Sequence, residues 1–473
     1  CILALSATCT TNTRSSICQV LDIEAENVIL QSPVRSNLSL SVSSDRDKYT
    51  ALLQLLQSPQ YCELSSIIIY CMFQQDTEHL ASFLQSKQFD ALAYHAGKSH
   101  SDRKSVQQLF MSNKLRIVVA TVAFGMGVDK SDVRAVIHFS MPRSIEAYVQ
   151  EVGRAGRDNL PALGHLLLHP DDMIRSYKLS FSDHIDRTTI KHLLLRLFTS
   201  PTHLGSGISS LPEGASYYVS LALQRISEEF DVKKEVVDTL LTYLQLPSSP
   251  VHDYLRILAP TSCMCTIQFH SGEARVVAQK YSLVKAIIDT SSKTSNGKWH
   301  CDLVDIANYF HKDLESIREE LNRLQTMEEI SYVLDEDCCT LVRIVGTPQS
   351  EDIEKAISDL HEKMDSLQNN KVSKLFAIYR ICRYASFTSV SESLQSESHE
   401  NLEQARDIDY QIERYFREAD SRYLEDSIQV PDWPIADPTK PTTQTKLHYL
   451  KGDIATMISR ERDIVKSGLI GAR

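Results

Sequence analysis

The chain has 473 residues and a mass of 53.5 kDa, which is enough for roughly two to four domains. Apolar residues make up 42% of the sequence and charged residues 23%, values that exclude a wholly disordered protein. The formal net charge is −11, so overall composition gives no argument for nucleic-acid binding. Residues 1–180 contain 17 Lys and Arg against 17 Asp and Glu. Any site for a polyanion must therefore be a local group of cations.

Cysteine usage and hydropathy exclude two further classes. Eleven cysteines at irregular spacings do not form the pattern of a small secreted disulfide scaffold. The longest apolar stretch, Ile67–Phe73, is far shorter than the ~20 residues that cross a bilayer. No basic segment followed by an apolar core opens the sequence. We therefore expect a soluble intracellular protein.

The sequence opens with an apolar run rather than with Met. Cys1 is followed by Ile2–Leu5 and then by small residues up to Thr8, a pattern that predicts a buried strand. A chain that begins inside a strand lacks the neighbours that such a strand needs. We therefore expect a further segment upstream of Cys1.

Between residues 36 and 180, short apolar runs alternate with amphipathic stretches, several of which begin with an Asp or Ser suited to capping. This alternation predicts a parallel sheet with helices on both faces, in which ligands lie at the carboxyl ends of the strands. The loops after Tyr94, Ala120 and Phe139 are therefore the first candidates for a site. The predicted strands are Leu38–Val42, Ser66–Met72, Asp90–Tyr94, Arg116–Ala120, Ala135–Phe139 and Leu163–Leu168, and the predicted helices lie near Asp45–Gln57, Asp76–Gln85, Asp102–Phe110 and Ser144–Val152.

Beyond residue 180 the pattern is mostly helical and repeats at an offset of 80 residues. The apolar spacing predicts two pairs of consecutive helices, each followed by a hairpin, which is the layout of a winged helix. Two helical hairpins with similar spacing by chance are the alternative. The repeated positions are Ile226, Phe230, Val237, Leu241, Leu244 and Gln245, matched by Ile306, Phe310, Ile317, Leu321, Leu324 and Gln325. The predicted hairpins join Val251–Ile257 to Ile267–Phe269 and Ile330–Leu334 to Thr340–Val345.

The last part of the chain changes composition. Residues 348–382 predict one amphipathic helix. Residues 386–404 are rich in Ser and Glu and predict a mobile linker. The stretch Pro431–Pro441 predicts an extended segment, and Lys446–Leu469 predicts a further helix.

The strongest local signal for chemistry is the run Gln150–Asp158. Arg154 and Arg157 lie three residues apart, so both guanidinium groups extend from one side of a helical turn. The intervening glycine and alanine leave room for a bulky anion. Two forked cations on one side suit a phosphate chain and the charge of a transferring phosphoryl group. The alternative is a pair of surface arginines that bind Asp158 and Glu151.

A second signal follows the predicted strand that ends at Ala120. Thr121 comes directly after this strand, and Gly125, Gly127 and Asp129 follow. The Thr121 hydroxyl and nearby N–H groups suit a nucleic-acid phosphate, and the Asp129 carboxylate can accept from a ribose hydroxyl. A glycine-containing turn capped by Asp is the alternative.

Two weaker signals are rejected. Gly97–Ser99 resembles the end of a phosphate-binding loop, but the glycine required five residues earlier is Leu92. Cys263 and Cys265, with His270 nearby, are the one candidate metal site, whereas structural zinc commonly takes four ligands from two pairs. The other cysteines of this region lie far away in sequence, so we predict buried structural cysteines and no zinc.

Four stretches occur in the order and spacing found in superfamily 2 helicases: Leu5–Thr8, Tyr94–Gly97, Ala120–Asp129 and Gln150–Asp158. Within that class, residues 1–180 resemble the RecQ family of DNA helicases. The downstream chain has a weaker resemblance to the Rothmund–Thomson-syndrome branch of that family. The stretches that carry it are Glu235–Leu246, Lys374–Phe387 and Tyr410–Glu418.

The resemblance implies an α/β fold in which two RecA-like lobes flank an ATP cleft. It implies ATP and Mg²⁺ as cofactors, single-stranded and forked DNA as partners, and 3′-to-5′ movement in DNA repair, recombination or replication in the nucleus. The implied divisions are 1–31 (last strand of the first lobe), 32–180 (second lobe), 181–270 and 271–347 (winged-helix-like domains) and 348–473 (helical carboxyl-terminal region, where repair proteins would bind).

The resemblance also implies roles for individual residues. Arg154 and Arg157 match the arginines that reach the nucleotide, with Arg157 as the γ-phosphate finger, and Gln150, Gly127 and Asp129 line the same cleft. Ser6 and Thr8 match the motif that couples ATP state to DNA grip. His95 and Thr121 would face DNA, with Arg143 as a further phosphate contact.

The sequence departs from the family in its first lobe. Residues 1–473 contain no phosphate-binding loop and no Asp-Glu-Ala-His metal motif, and we expect both upstream of Cys1. Because Arg154 and Arg157 cannot replace these groups, the isolated chain should be an inactive ATPase. The alternative is a non-catalytic DNA-binding or scaffold protein derived from a helicase. The segment Leu197–Gly207, where the Rothmund–Thomson branch has its zinc site, contains no cysteine.

Overall fold

The computed structural model of the protein describes residues 2–125, 129–199, 216–270, 274–293, 298–335, 338–396 and 402–417. The helices are α1 (Thr11–Leu21), α2 (Lys48–Gln57), α3 (Pro59–Cys62), α4 (Gln74–Ser86), α5 (His100–Met111), α6 (Ile145–Val152), α7 (Pro170–Ser180), α8 (Arg187–Phe198), α9 (Leu223–Phe230), α10 (Lys234–Gln245), α11 (Ala274–Lys280), α12 (Ser282–Thr290), α13 (Leu303–Phe310), α14 (Leu314–Thr326), α15 (Ser350–Tyr384), α16 (Val390–Ser396) and α17 (Leu402–Arg417). The strands are β1 (Leu38–Ser43), β2 (Ile67–Tyr70), β3 (Ala91–Tyr94), β4 (Ile117–Ala120), β5 (Ala135–His138), β6 (Ala162–Leu167), β7 (Ser216–Leu221), β8 (Leu255–Ile257), β9 (Thr261–Ser262), β10 (Met264–Phe269), β11 (Ser292–Lys293), β12 (Trp299–Asp302), β13 (Ile330–Leu334), β14 (Cys338–Val345) and β15 (Ser386–Phe387).

The main sheet has the order β15-β1-β6-β5-β2-β4-β3, and all its strand pairs are parallel. Six of its seven strands are the predicted ones. Strands β2, β4 and β5 are buried along their whole length because helices cover both faces of the sheet. The predicted α/β fold with a RecA-like parallel-sheet lobe is thus confirmed.

Capping residues set where the helices of this lobe begin. Asp47 accepts from the Tyr49 backbone N–H at 3.0 Å before α2, and Ser144 accepts from the Ala147 N–H at 3.2 Å before α6. The helix predicted near Asp45–Gln57 is α2, which begins at Lys48. The Asp45 carboxylate instead accepts a hydrogen bond from the Val390 N–H.

The predicted buried strand at the start of the chain is wrong. Residues 2–8 contain no strand, and Leu3 and Leu5 are 79% and 84% exposed. A strand needs a neighbour for its backbone groups, and in the described part of the chain no strand lies alongside this segment. The chain instead enters α1, where the Thr11 hydroxyl donates to the Phe416 carbonyl in α17 at 3.0 Å.

The predicted mobile linker is wrong for residues 386–396. Strand β15 pairs in parallel with β1, and Phe387 and Val390 are buried against the sheet and α2. The Asp45 carboxylate accepts from the Val390 N–H at 3.2 and 3.1 Å at the start of α16. Two buried apolar residues hold this segment in spite of its polar composition. Residues 397–401, Pro431–Pro441 and Lys446–Leu469 lie outside the described residues.

The repeated helices are confirmed. They are α9 with α10 and α13 with α14. The first helix of each pair ends before a residue with a left-handed backbone, Asp231 (φ 52°) in one copy and His311 (φ 51°) in the other. Equivalent positions thus make equivalent turns between the helices.

The predicted hairpins are wrong because the two copies exchange a strand. Strands β7 and β8 flank the first helix pair and enclose β14, while β12 and β13 flank the second pair and enclose β10. Val342 of β14 packs in the first core, and Ile267 of β10 packs in the second. Alternation along a strand shows which face is apolar but not which core that face enters. The pairing also crosses the predicted division between residues 270 and 271.

The predicted long amphipathic helix is confirmed as α15, which has 35 residues. Its first half packs in the core of the first helix pair through Ile357 and Leu360, and its second half packs on the main sheet through Leu375 and Ile378. Within the described ranges, no helix is both long and apolar enough to cross a membrane.

Candidate nucleotide and nucleic-acid site

The loop that contains the two arginines lies at the amino end of β5. Helix α6 begins beyond the carboxyl end of β5 and runs back across the sheet. The Gly156 N–H donates to the Val133 carbonyl at 3.0 Å, and the Asp158 N–H donates to the Ser131 carbonyl at 3.3 Å. Both acceptors precede β5. The backbone of the arginine loop therefore lies beside the amino end of β5, whereas both arginine side chains contact the loop that follows Ala120.

Arg157 and Asp129, from two separate motifs, form an ion pair. The Arg157 Nη1 and Asp129 Oδ1 atoms are 2.6 Å apart. The Asp129 side chain is 92% exposed and that of Arg157 is 29% exposed. An ion pair this open to water contributes little to stability, so either partner can exchange it for a phosphate or a ribose hydroxyl.

Arg154, in contrast, is held by the protein backbone. Its Nη1 donates to the Gly125 carbonyl at 2.6 Å, and a Cβ atom at Gly125 would overlap the guanidinium group. Just before Gly125, the Phe124 carbonyl accepts from the Tyr70 hydroxyl at 2.8 Å. Burial raises the pKa of Tyr70, which keeps this hydroxyl protonated as a donor. Gly125 thus allows the close approach that fixes Arg154.

The carboxylates next to the arginines have other partners. Glu151 lies 2.7 Å from the His138 Nε2, and both side chains are buried. Asp158 receives two hydrogen bonds from Arg134, at 2.6 and 2.5 Å, which hold the pKa of this carboxyl below its usual value. The two carboxylates that the alternative assigned to the arginines thus bond to His138 and Arg134.

Two other residues were predicted to line the nucleotide cleft, Gln150 and Gly127, and the structure describes only the first of them. Gln150 is exposed on the last turn of α6, about one turn before Arg154. Its side chain makes no hydrogen bond within the described residues. Gly127 lies outside the described residues.

His95 and Thr121 are brought together at the carboxyl edge of the sheet. Each residue directly follows its strand, and the preceding residues Tyr94 and Ala120 are register partners in β3 and β4. Both side chains are buried, and the Thr121 hydroxyl accepts from the Ala123 N–H at 3.4 Å. The structure therefore places the two predicted DNA contacts on adjacent strands.

Glu78 joins His95 to a cation, Lys98. Its Oε1 lies 2.8 Å from the His95 Nε2 and 2.8 Å from the Lys98 Nζ. The His95 Nδ1 is buried and has no hydrogen-bond partner among the described residues. A buried ring nitrogen without a partner is uncommon in a folded protein.

Arg143 lies at the same edge. It is exposed and follows β5, two strands away from β4, which is about 10 Å at the usual strand spacing. A nucleic-acid backbone could therefore contact Arg143 and Thr121 together.

The structure does not join Ser6 and Thr8 to the arginine loop. Both lie in the segment before α1, where the Thr8 N–H donates to the Ser6 hydroxyl at 3.3 Å. Within the part of the chain that the structure describes, neither side chain has a hydrogen bond to that loop.

Sequence reasoning missed the buried residues behind Arg154. The rings of Tyr70 and His138 are stacked with their centroids 5.5 Å apart. Both residues lie at the ends of apolar strands, so their polar atoms gave no periodic signal. The one available hint was a polar ring near the carboxyl end of each of two predicted strands, Tyr70 in Ser66–Met72 and His138 in Ala135–Phe139.

The candidate metal residues are buried in the second helical core. Cys263, Cys265, Cys301 and Cys339 all pack there, as predicted for structural cysteines. In the described ranges, no group of three His, Cys, Asp or Glu side chains is arranged to hold a metal ion.

Comparison with known proteins identifies the family of this arrangement. Residues 47–159, which include both site motifs, match the helicase conserved C-terminal domain. The chain is 36% identical over 417 residues to the ATP-dependent DNA helicase Q-like 5 of Arabidopsis thaliana, covering 88% of this chain and 44% of that protein. It is 30% identical over 487 residues to the human ATP-dependent DNA helicase Q4, covering 89% of this chain and 40% of that protein.

A bacterial relative matches the sheet-containing part alone. The ATP-dependent DNA helicase RecQ of Pasteurella multocida is 41% identical over 178 residues, covering 38% of this chain and 28% of that protein. The chain thus spans less than half the length of each of these relatives. The motifs, the parallel sheet and these similarities agree, and the chain belongs to the RecQ family of superfamily 2 helicases.

Proposed function

We propose that this chain is the carboxyl-terminal part of an ATP-dependent DNA helicase that moves 3′ to 5′ and separates DNA strands. Its setting would be DNA repair, recombination or replication in the nucleus. The observation that carries this proposal is the arginine loop, in which Arg154 is fixed to Gly125 and Arg157 pairs with the exposed Asp129 carboxylate. A protein that merely binds DNA has no use for such a pair.

The two arginines would have different tasks in ATP hydrolysis. Arg157 can leave Asp129 and bind the γ-phosphate, because the ion pair is open to water. Arg154 would keep the loop in place, since its guanidinium is engaged with the backbone after β4. The donor set fits an anionic nucleotide, and bound ATP with Mg²⁺ would supply the phosphoryl group and neutralise its charge.

DNA would bind at the carboxyl edge of the sheet. Thr121 and Arg143 can donate to phosphates there, and the buried His95 Nδ1 has no partner among the described residues. Helix α6 begins just after Arg143 and ends just before Arg154. A change in the nucleotide loop would therefore shift α6 and reach the DNA contacts through a rigid element.

The 473 residues alone would not hydrolyse ATP. The two arginines provide transition-state charge, but a phosphate-binding loop and a Mg²⁺-binding carboxylate are also needed to position the triphosphate. In the relatives, this chain matches less than half of the length. We therefore propose that the catalytic unit includes residues upstream of Cys1.

The test compares the 473-residue chain with a longer gene product that includes the upstream coding sequence. We expect the chain alone to bind single-stranded DNA without ATP turnover, and the longer form to hydrolyse ATP and unwind a duplex with a 3′ tail. Unwinding of a 5′-tailed duplex instead would contradict the polarity. A longer form that binds DNA but neither hydrolyses ATP nor unwinds would support the non-catalytic scaffold and overturn the proposal.

A further inference from the structure

Four buried cysteines lie where the two helical units exchange strands. At the crossing point β9 pairs with β14, with Thr261 opposite Cys339. Cys263 follows β9 and contacts Cys339, while Cys265 lies on the exchanged strand β10. Cys301 lies on β12, the neighbour of β10. These residues are far apart in sequence, and strand exchange brings them together in the fold.

Cys265 and Cys301 are directly opposite each other in the antiparallel pair of β10 and β12. Their Sγ atoms are 3.0 Å apart, and both residues are buried. Opposed residues in such a pair have Cα atoms about 4.5–5.5 Å apart, inside the range of about 4.4–6.8 Å for disulfides. The sulfurs would need to approach by only about 1 Å to reach bonding distance, so side-chain rotation suffices.

We propose that Cys265 and Cys301 are a modification site, at which a reversible disulfide fastens the exchanged strand β10 to β12. The oxidant would be a small-molecule disulfide of the glutathione class. One cysteine thiolate attacks that disulfide and releases one small thiol; the second cysteine then displaces the other. Two electrons pass from the protein thiols to the small disulfide, and their two protons end on the two released thiols.

The site differs from the other buried cysteines of the chain. Cys71 and Cys382 are also buried, but neither contacts another thiol within the described residues. The Cys263 thiol contacts Cys339, but these two residues are not register partners, since Thr261 lies opposite Cys339. Among the cysteines that the structure describes, only the Cys265–Cys301 pair combines opposed register with an Sγ separation of 3.0 Å.

The disulfide would fasten the exchanged strand to the sheet that it enters, within the core of the second helix pair. Strand β10 belongs in sequence to the first unit, but it forms the centre of the sheet of the second. Closing the loop between residues 265 and 301 restricts the unfolded chain and would raise the melting temperature. Because both thiols are buried, oxidation requires transient opening of β12 and should be slow.

The test uses the folded 473-residue chain in millimolar oxidised glutathione, followed by alkylation and mass spectrometry of unreduced peptides. We expect one cross-linked peptide pair containing Cys265 and Cys301, reversed by dithiothreitol, with a melting temperature a few degrees above that of the reduced chain. Cys301→Ser should lose both effects, whereas the matched control Cys382→Ser should keep them.

If a variant fails to fold, mapping the cross-linked peptides of the wild-type chain still tests the proposal. Complete alkylation of both thiols after oxidation would overturn it. Cross-links that form only in urea, without preference for Cys265 and Cys301, would also overturn it. A stoichiometric zinc ion released from the untreated chain when these thiols are modified would also overturn it, in favour of a metal site.

Discussion

Arg157 donates to Asp129 across 2.6 Å although 28 residues separate them in sequence. Asp129 lies on the segment that returns from β4, and Arg157 lies on the loop that follows α6. The two motifs therefore meet on one surface, where we propose that Arg157 exchanges the exposed Asp129 carboxylate for a nucleotide phosphate. This contact is the basis for the first prediction.

Replacing Arg157 by Ala should abolish ATP turnover in the longer gene product. The loss of an arginine finger lowers the rate by about 10³-fold or more, because charge on the transferring phosphoryl group is no longer stabilised. Affinity for DNA should change little. The rate of phosphate release with and without DNA checks this, with exposed Arg187→Ala as the matched control. Normal turnover in Arg157→Ala would defeat the finger assignment.

Replacing Thr121 by Ala should weaken binding of single-stranded DNA to the chain itself. Loss of one hydrogen bond of about 0.5–1.5 kcal/mol corresponds to a fall of roughly 2- to 10-fold in affinity. Fluorescence anisotropy over a range of salt concentrations measures this, since phosphate contacts are salt-dependent. Thr188→Ala, at an exposed position of α8, is the control. An affinity equal to wild type at every salt concentration would remove Thr121 from the DNA interface.

Replacing Tyr70 by Phe should destabilise the fold. The change removes the donor to the buried Phe124 carbonyl, which costs about 1–3 kcal/mol of unfolding free energy when the acceptor stays unpaired. Urea denaturation of the variant measures the difference. Tyr410→Phe, at a residue that is 61% exposed, should leave the midpoint unchanged. Equal midpoints for the two variants would show that the Tyr70 hydroxyl contributes nothing to stability.

Asp409 should make the chain less stable as the pH rises from about 4 to 6. Burial, with a contribution from Glu413, raises the pKa of this carboxyl from 3.8 to about 6. The folded chain then binds a proton that the unfolded chain has already lost, so stability falls with pH in this window and stays lower above it.

Asp409→Asn should remove that dependence and raise the unfolding free energy at pH 7 by about 1–2 kcal/mol, a figure reduced for partial exposure. Urea denaturation at pH 4.5 and pH 7 checks the change against Asp359→Asn, which is exposed on α15. A wild-type chain that gains stability between these values, with Asp409→Asn following it in parallel, would contradict the assignment.

Local patterns in the sequence determined the elements and the motifs. The order of strands and helices from β1 to β6, the two repeated helix pairs and the long helix α15 all follow from apolar periodicity and capping residues. The arginines of the Gln150–Asp158 run were recognisable because their spacing and glycines are local. Each of these features depends on residues that are close together in the chain.

Tertiary structure alone decided which partners these elements have. Strand exchange moved β10 and β14 into each other's units, Phe387 and Val390 joined a polar segment to the sheet, and Leu5 stayed exposed without a neighbouring strand. The position of Arg157 beside Asp129 was decided in the same way. Backbone pairing and apolar contacts in a sheet join residues far apart in sequence, and periodicity shows which face of a strand is apolar without showing what will cover it.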